Sequence, residues 1–278
     1  MPQLESLEIA FTFPVPNRDV ERQLTHTPIT THITLPNLRL FLFRGVSAYL
    51  EAILCRITTP RLEILNIRLF KQLTFSVPRL TQFTNATENL RSYNAEILFK
   101  DEYANLRMSF REANTYPFAV EIDCRHLDWQ VSSVVQISNS LRQVFSTVEH
   151  LTLEHELHSQ SSEEHKDVDR VEWRNLLRSF SNVKTLRVED GLVEELSRCL
   201  GLEDGELPLE LLPELQELRY FGSRDTGDAF TSFVDARRNA GRPVMLVRNG
   251  PSPSPNPLSF KPSTIMSPGN EDGNDIEA

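Results

Sequence analysis

The chain has few of the residues that build cofactor sites. Its 278 residues include ten glycines and three cysteines. It has no GxxxxGK[ST] phosphate loop, no GxGxxG dinucleotide fingerprint and no Gly-x-Ser-x-Gly nucleophile turn. No CxxC pair is present for zinc or redox chemistry. These absences favour a non-enzymatic protein that uses no cofactor.

Three features of the sequence indicate where in the cell the protein is found: its cysteines, its hydrophobic runs and its first residues. Cys55, Cys124 and Cys199 are scattered and odd in number, which is typical of reduced thiols rather than of a disulfide framework. Apolar runs such as residues 40–43 are far too short to span a bilayer. The first ten residues contain no basic residue, so no secretory signal is predicted. We therefore expect a cytoplasmic or nuclear protein that does not contact membranes.

Acidic residues are concentrated in the second half of the chain. Residues 1–148 carry 15 basic and 14 acidic side chains, whereas the remainder carries 14 basic and 25 acidic ones. Such an excess disfavours nonspecific contact with nucleic acid or with an anionic membrane. It is compatible with a basic protein partner, and equally with acidic loops that only keep the chain soluble.

One motif recurs along the chain. The stretch "LPELQELRYF" near the end has counterparts in "MPQLESLEIAF" at the start and "TPRLEILNIRLF" in between. The last two apolar positions of the motif lie two residues apart, which is the period of a strand, and an earlier leucine turns inward as the chain enters that strand. This pattern is typical of the strand portion of a leucine-rich repeat. The central apolar residues of the seven copies are Leu7, Phe41, Leu65, Phe83, Leu151, Leu186 and Leu218.

Helical patterns separate these predicted strands. They include "GVSAYLEAILCRIT", "DWQVSSVVQISNSLRQVF" after Asp128 as a predicted N-cap, "DRVEWRNLLRSF", "GLVEELSRCL" and "GDAFTSFVDARRNAG", which ends on Gly241 as a predicted C′ residue. The stretch "AEILFKDEYANLRMSFREANTYPFAVEIDC" alternates polar and apolar residues without a helical period. The predicted fold is therefore α/β, an irregular leucine-rich-repeat solenoid with a parallel sheet, outer helices and an inserted antiparallel meander.

Composition changes near residue 249. The last thirty residues contain six prolines and five serines, and four of the final eight residues are acidic. A segment of this kind buries too little apolar surface to offset the entropy lost on ordering. We predict a leucine-rich-repeat-like domain over residues 1–248 and a disordered Pro/Ser-rich acidic tail over residues 249–278.

The repeat pattern also predicts a partner-binding surface. The residue between the last two apolar positions points away from the core, and such residues line up on the concave face of a parallel solenoid. The candidates are Glu8, Leu42, Asn66, Thr152, Arg187 and Arg219, with Thr185 and Glu217 beside the last two. Arg187 and Arg219 are suited to forking onto a partner's carboxylate. The alternative is that they pair within the chain, with Glu189 and Glu217.

Two other features of the sequence suggest alternatives to a non-enzymatic protein that binds through this row of residues. Histidines at 150, 155, 158 and 165 lie among carboxylates in "EHLTLEHELHSQSSEEHK", which suits zinc and would make the chain a metal-dependent hydrolase. His155 and His158 would share one helical face, but their spacing differs from the zincin motif, and an exposed polar loop that holds no metal is preferred. Trp129 is either a surface anchor for a partner or, as we prefer, a packing residue at a helix start.

Several long segments of the sequence resemble one protein family. The run "LPNLRLFLFRGVSAYLEAILCRITTPRLEILNIRLFKQLTFSVPRLTQF" is similar to the leucine-rich-repeat region of F-box proteins from mushroom-forming fungi, as are "CRHLDWQVSSVVQISNSL", "EWRNLLRSFSNVKTLRV" and "LLPELQELRY". The resemblance covers roughly residues 1–247.

The resemblance implies a role in ubiquitin ligation. F-box proteins dock on the adaptor of a cullin–RING ligase through an N-terminal F-box, and their repeats recruit protein substrates. No Leu-Pro-x-Glu helix set precedes the first repeat here, so no residue is assigned to adaptor binding, which is expected only if an F-box exists elsewhere. The expected partner is a protein substrate of unknown identity. A structural scaffold unconnected to ubiquitin ligase is a further alternative.

Overall fold

The computed structural model describes residues 3–12, 31–72, 74–110, 116–156, 168–201, 209–221 and 229–249. The tail predicted for residues 249–278 lies, apart from its first residue, outside this part of the chain. The boundary between the two predicted regions therefore stays a prediction.

The described residues form twelve strands and seven helices. The strands are β1 (Ser6–Ala10), β2 (Ile33–Thr34), β3 (Leu40–Gly45), β4 (Ile57–Thr58), β5 (Ile64–Leu69), β6 (Asn94–Lys100), β7 (Tyr103–Ser109), β8 (Phe118–Asp123), β9 (His150–Glu156), β10 (Thr185–Val188), β11 (Glu217–Phe221) and β12 (Met245–Asn249). The helices are α1 (Ser47–Leu54), α2 (Pro78–Ala86), α3 (Leu127–Ser140), α4 (Arg142–Phe145), α5 (Arg170–Arg178), α6 (Val193–Leu200) and α7 (Thr231–Asn239). Short 3-10 turns lie at Glu88–Leu90 and Asp190–Leu192.

Ten strands make one open, mostly parallel sheet. Its order is β1-β3-β5-β8-β7-β6-β9-β10-β11-β12, and β2 and β4 pair separately. All neighbours in the large sheet are parallel except β7, which runs antiparallel to both β6 and β8. The α/β class and the parallel sheet with helices between its strands are therefore observed. None of the described helices has the length and apolar character needed to cross a bilayer.

The predicted antiparallel meander is confirmed. The strands β6, β7 and β8 follow one another through the stretch that lacked a helical period. They run backwards across the sheet, so β8 lies beside β5 and β6 lies beside β9. The chain therefore passes over two strand positions after β5, and α3 carries it back across the meander to β9.

The core lies between one face of the sheet and the helices. In most strands of the large sheet alternate residues are buried, as with Phe41 and Phe43 in β3 or Leu65 and Ile67 in β5. Buried residues of all seven helices belong to the same core cluster, so the helices cover this face of the sheet. We call the opposite face, formed by the strand residues in between, the open face. The inward leucines that precede β3 and β5, Leu38 and Leu62, are fully buried, as the motif predicted.

One predicted strand is wrong. The copy containing Leu80 and Phe83 forms the helix α2, with Pro78 at its first turn. Proline is well suited to that position because its missing N–H has no partner there in any case and its φ is already helical. Leu80 is buried, but as a residue of this helix and not of a strand. The other six predicted copies form strands.

Two predicted helix ends have different outcomes. The predicted cap Asp128 lies inside the first turn of α3, and His126 occupies the N-cap position without a side-chain hydrogen bond. Gly241 follows the C-cap Ala240 of α7 and has a φ of 76°, as expected for a C′ glycine. Glycine is favoured there because other residues are strained at that φ.

Candidate interaction surface

The open face carries a continuous row that takes one residue from each strand of the large sheet. Register pairing connects every member to the next. In sheet order the row is Glu8, Leu42, Asn66, Ala119, Arg107, Glu96, Thr152, Arg187, Arg219 and Val247. We call it the central row. It contains all six residues that the sequence predicted for the strand-to-strand alignment, and tertiary structure brings them onto one surface.

Four members of the central row were not predicted. Ala119, Arg107 and Glu96 come from the meander, and Val247 comes from the last strand. The polar–apolar alternation of the meander was a usable signal, because it separates core residues such as Ile97 from Glu96 on the other face. The repeat motif missed them because neither the meander nor β12 contains a copy of it.

Thr185 and Glu217 occupy the adjacent row. They are register partners of each other, two residues before Arg187 and Arg219 along their strands. Glu217 also pairs with the exposed Met245 of β12. The structure therefore places all eight predicted residues on the open face.

The two arginines that the sequence predicted for the central row, Arg187 and Arg219, pair within the chain. The Arg187 guanidinium donates to Glu189 Oε1 from Nε at 3.0 Å and from Nη2 at 2.7 Å, and it lies 4.4 Å from the ring centroid of Phe221. Arg219 donates from Nε to Glu217 Oε1 at 2.8 Å and from Nη2 to Oε2 at 3.2 Å. This is the alternative that the sequence left open. A partner's carboxylate would have to compete with these internal contacts.

Ion pairs also cover the middle of the open face. Arg68 of β5 lies 2.9 Å from Glu121 and 2.9 Å from Asp123, both on the neighbouring β8. Lys100 of β6 lies 2.7 Å from Glu156 at the end of β9. These pairs join neighbouring strands, and they leave this part of the surface polar but largely neutralised.

Glu154 differs from the ion-paired carboxylates of this region. It lies half-buried on β9 opposite Leu98 of β6, and it forms no ion pair with the described residues. Burial raises the pKa of Glu154 to about 7, and the carboxylates of Glu96 and Glu189 act in the same direction, while Arg187 opposes them. A group with this pKa changes its charge near neutral pH.

The centre of the open face is well packed. Leu98 is 4% exposed, Asn105 6% and Ala119 8%, although their neighbours along each strand point to the core. Asn105 Nδ2 donates to Glu121 Oε2 at 3.3 Å. Long charged side chains therefore shield a small buried area here, and the accessible parts of the central row lie towards its two ends.

The structure covers only part of the histidine-rich segment. His150 and His155 belong to the strand β9, not to a helix or a loop, whereas His158 and His165 lie outside the described residues. Adding a Cβ at Gly191 would bring it 3.2 Å from His155 Nδ1, so His155 packs closely against that turn. Within the described ranges no group of three or more His, Cys, Asp or Glu residues is arranged to hold a metal ion.

Trp129 lies at the helix start that the sequence indicated. It is 44% exposed in the first turn of α3, and Lys71 Nζ lies 3.4 Å from its ring centroid. The His126 ring meets it edge-on at 5.9 Å. Trp129 therefore packs against Lys71 and His126 at the start of α3 and is not part of the central row.

No protein-family model matches the chain, and neither the curated proteins nor the solved structures compared with it include a match.

Proposed function

We propose that this protein is a non-enzymatic protein-interaction module that binds its partner on the open face of the sheet. The observation that carries the proposal is the central row, in which ten strands present one residue each on a face that no described helix covers. Rigid strands are a good support for binding residues because little conformational entropy is lost when they meet a partner. The row combines apolar, neutral polar and charged side chains, as protein interfaces do.

The finer proposal is that the chain is an irregular leucine-rich-repeat solenoid and the substrate-recruiting region of an F-box-like ubiquitin-ligase subunit. The runs β1-β3-β5 and β9-β10-β11-β12 support a repeat, because their strands are parallel neighbours in chain order. The link to ubiquitin ligase depends on the sequence resemblance. Contact with the ligase adaptor is proposed only for a form of the protein that carries an F-box.

The binding surface can be tested at two positions whose side chains form no hydrogen bond or ion pair with the described residues. Asn66 is exposed and Thr152 half-buried, and both are in the central row. We expect Asn66→Arg with Thr152→Arg to weaken partner binding through added bulk and charge. The matched control is Ala48→Arg with Ser232→Arg, which adds the same charge at exposed positions of α1 and α7.

The measurement is quantitative capture from an extract of a mushroom-forming fungus, with photo-crosslinking from position 66 to identify proteins that touch the row. The crosslinker at position 66 of the otherwise wild-type chain identifies the proteins that touch the row. We expect the Asn66→Arg, Thr152→Arg variant (the row variant) to capture these proteins at least about tenfold less, a loss of about 1.4 kcal/mol in binding free energy. The Ala48→Arg, Ser232→Arg control should capture them as the wild type does. Equal recovery by the row variant and the wild type would contradict the proposal. The finer assignment predicts that the captured proteins are ubiquitin-ligase substrates. It would be supported if their levels rise in the fungus when cullin–RING ligases are inhibited, and unchanged levels would oppose it.

A further inference from the structure

Three aromatic side chains lie exposed at neighbouring strand ends of the meander. Tyr93 immediately precedes β6, Phe110 immediately follows β7, and Tyr116 lies two residues before β8. They are 55%, 41% and 38% exposed, and they are three of the eight large hydrophobic side chains that are exposed among the described residues. We call these three residues the aromatic row.

Strand register aligns the aromatic row. Asn94 of β6 pairs with Ser109 of β7, and the same ladder continued by one residue sets Tyr93 opposite Phe110. The ladder of β7 with β8, continued two residues beyond its last pair, sets Phe110 opposite Tyr116. Neighbouring strands lie about 4.8 Å apart, so the row extends about 10 Å across three strand ends.

The chemistry of the aromatic row favours a proline-rich, apolar segment as its occupant. Exposed aromatic side chains that lie side by side are typical of binding surfaces. Aromatic-lined surfaces in particular bind proline-rich segments in the polyproline II conformation. Tyr116 is held in place by Arg107, whose guanidinium carbon lies 5.2 Å from the ring centroid.

The chain itself carries such a segment directly after the last strand. Residues 251–257 read "PSPSPNP" and begin two residues after Asn249, where β12 ends. Alternate prolines favour the extended polyproline II conformation, which rises about 3.1 Å per residue. Leu258 and Phe260 follow, and apart from the prolines they are the first large apolar residues after β12.

The length of this segment matches the distance to the aromatic row. Four strand steps separate β12 from β6, and relative to the central row Asn249 lies two residues beyond it and Tyr93 three residues before it. Tyr93 is therefore about 19 Å away across the sheet and about 17 Å away along the strands, or about 26 Å in a straight line. About nine residues of polyproline II span that distance, and Leu258 is nine residues after Asn249. Tyr116, two strands further on, lies about 33 Å away, which suits Phe260.

We propose that the aromatic row binds this chain's own residues 258–262 and that residues 251–257 act as an extended spacer. Leu258 packs at Tyr93 and Phe260 packs at Tyr116, with Phe110 between them. Helices cover the other face of the sheet, so the spacer runs along the open face over β11, β10 and β9. Because the segment is tethered, its effective concentration is on the order of millimolar, and weak contacts suffice to hold it.

The test uses the full chain with the photo-crosslinker p-benzoylphenylalanine in place of Phe260. After illumination the crosslinked peptides are mapped by mass spectrometry. We expect the main crosslinks in the peptides that contain Tyr93, Phe110 or Tyr116. Replacement of these three residues by serine should lower the crosslink yield by about two- to tenfold, the range that one or two aromatic contacts give.

The matched control for this variant is Ile33→Ser with Val171→Ser. Ile33 and Val171 are comparably exposed hydrophobic residues outside the aromatic row. Their replacement should leave the crosslink yield at the row unchanged.

A deletion tests the reach of the spacer without changing any described residue. Removal of residues 251–256 leaves only about 16 Å of extended chain between Asn249 and position 260, which is less than the distance to Tyr93. We expect crosslinks to the aromatic row to disappear. Removal of residues 263–268 takes out a segment of the same length beyond the contact and should leave them in place.

Three results would overturn the proposal. They are an unchanged crosslink yield in the serine variant, crosslinks to the row that survive removal of residues 251–256, and crosslinks that join two copies of the chain. A mixture of ¹⁵N-labelled and unlabelled protein identifies the last, because a crosslink within one copy carries a single label. The contact with the tail does not depend on the proposed partner, so none of these results would affect the partner-binding surface, which is tested by crosslinking from position 66.

Discussion

Arg237 is a fully buried guanidinium that fixes the turn before β11. It donates to the carbonyl oxygens of Leu212 at 3.3 Å, Pro213 at 3.1 Å and Leu215 at 3.1 Å. Leu212 has a φ of 49°, so this turn holds a residue in the left-handed region. The side chain therefore satisfies three backbone acceptors in a segment without regular structure.

We expect Arg237→Met to lower the free energy of unfolding by about 2–4 kcal/mol, because buried carbonyls would lose their donor. The measurement is urea unfolding followed by circular dichroism. Arg238→Met is the matched control, since Arg238 is an exposed neighbour whose side chain, among the described residues, pairs with Asp235 alone. It should change the free energy by less than about 0.5 kcal/mol. Equal effects of both substitutions would contradict the structural role of Arg237.

Glu154 makes stability depend on pH near neutrality. Its folded-state pKa of about 7 lies above that of an ordinary glutamate, so between about pH 4.5 and 7 the folded state holds a proton that the unfolded state has lost. The contribution of this group to stability is therefore greatest below this window and falls as the pH rises through it. Partial exposure of the side chain reduces the size of the effect.

We expect Glu154→Gln to raise the free energy of unfolding by about 1 kcal/mol at pH 8 and to change it little at pH 5. The check is thermal or urea unfolding at both pH values. Glu156→Gln is the control, because Glu156 pairs with Lys100 at 2.7 Å and its loss should not stabilise the protein at pH 8. No gain for Glu154→Gln at pH 8 would show that the carboxylate is not destabilised in the folded protein.

At the scale of elements, α2 depends on a carboxylate from α1. Its N-cap residue Val77 has no side chain that can accept a hydrogen bond. Glu51 supplies the acceptors instead, receiving the backbone N–H of Arg79 at 2.6 Å and that of Leu80 at 2.9 Å. The carboxylate also lies where the helix dipole favours negative charge.

We expect Glu51→Ala to destabilise the protein by about 1 kcal/mol, and Glu51→Gln by less, since glutamine keeps one acceptor. Hydrogen exchange should show faster exchange of the α2 amides while those of α3 are little changed. Glu63→Ala is the comparison, because the Glu63 carboxylate forms an exposed ion pair with Arg39 and caps no helix in the described part of the chain. Its loss should cost about 0.5 kcal/mol or less. Unchanged exchange in α2 would show that Glu51 does not cap this helix.

For the molecule as a whole, one core extends across the described sheet. Leu65 in β5 and Leu186 in β10 lie on opposite sides of the meander, are both fully buried, and belong to one core cluster. Truncation of either to alanine is expected to cost about 2–5 kcal/mol, because the transfer free energy is lost and a cavity remains. Both should lower the midpoint of the same unfolding transition, measured by calorimetry. Two transitions, each shifted by one substitution, would indicate independent halves.

The sequence alone determined which segments form most of the strands and which face of them is buried. An apolar residue at every second position fixes both, because successive side chains of a strand point to opposite faces. The same local rule placed Leu65 and Leu186 in the core and eight candidates on the open face. It also located Gly241, where the helix end requires a positive φ.

Tertiary structure decided three features that local sequence patterns do not determine: the conformation at Leu80, the order of the meander strands and the pairing of Arg187. The copy at Leu80 matched the strand motif, yet Pro78 and the Glu51 cap make it a helix. The reversed order of β8, β7 and β6 follows from long-range pairing, which has no signature in any single segment. Arg187 and Glu189 are close enough in sequence to pair or to point apart, and only the folded positions of their strand and of Phe221 bring them together. The physical reason is that contacts between distant segments depend on the whole core, whereas periodicity reports only the local backbone.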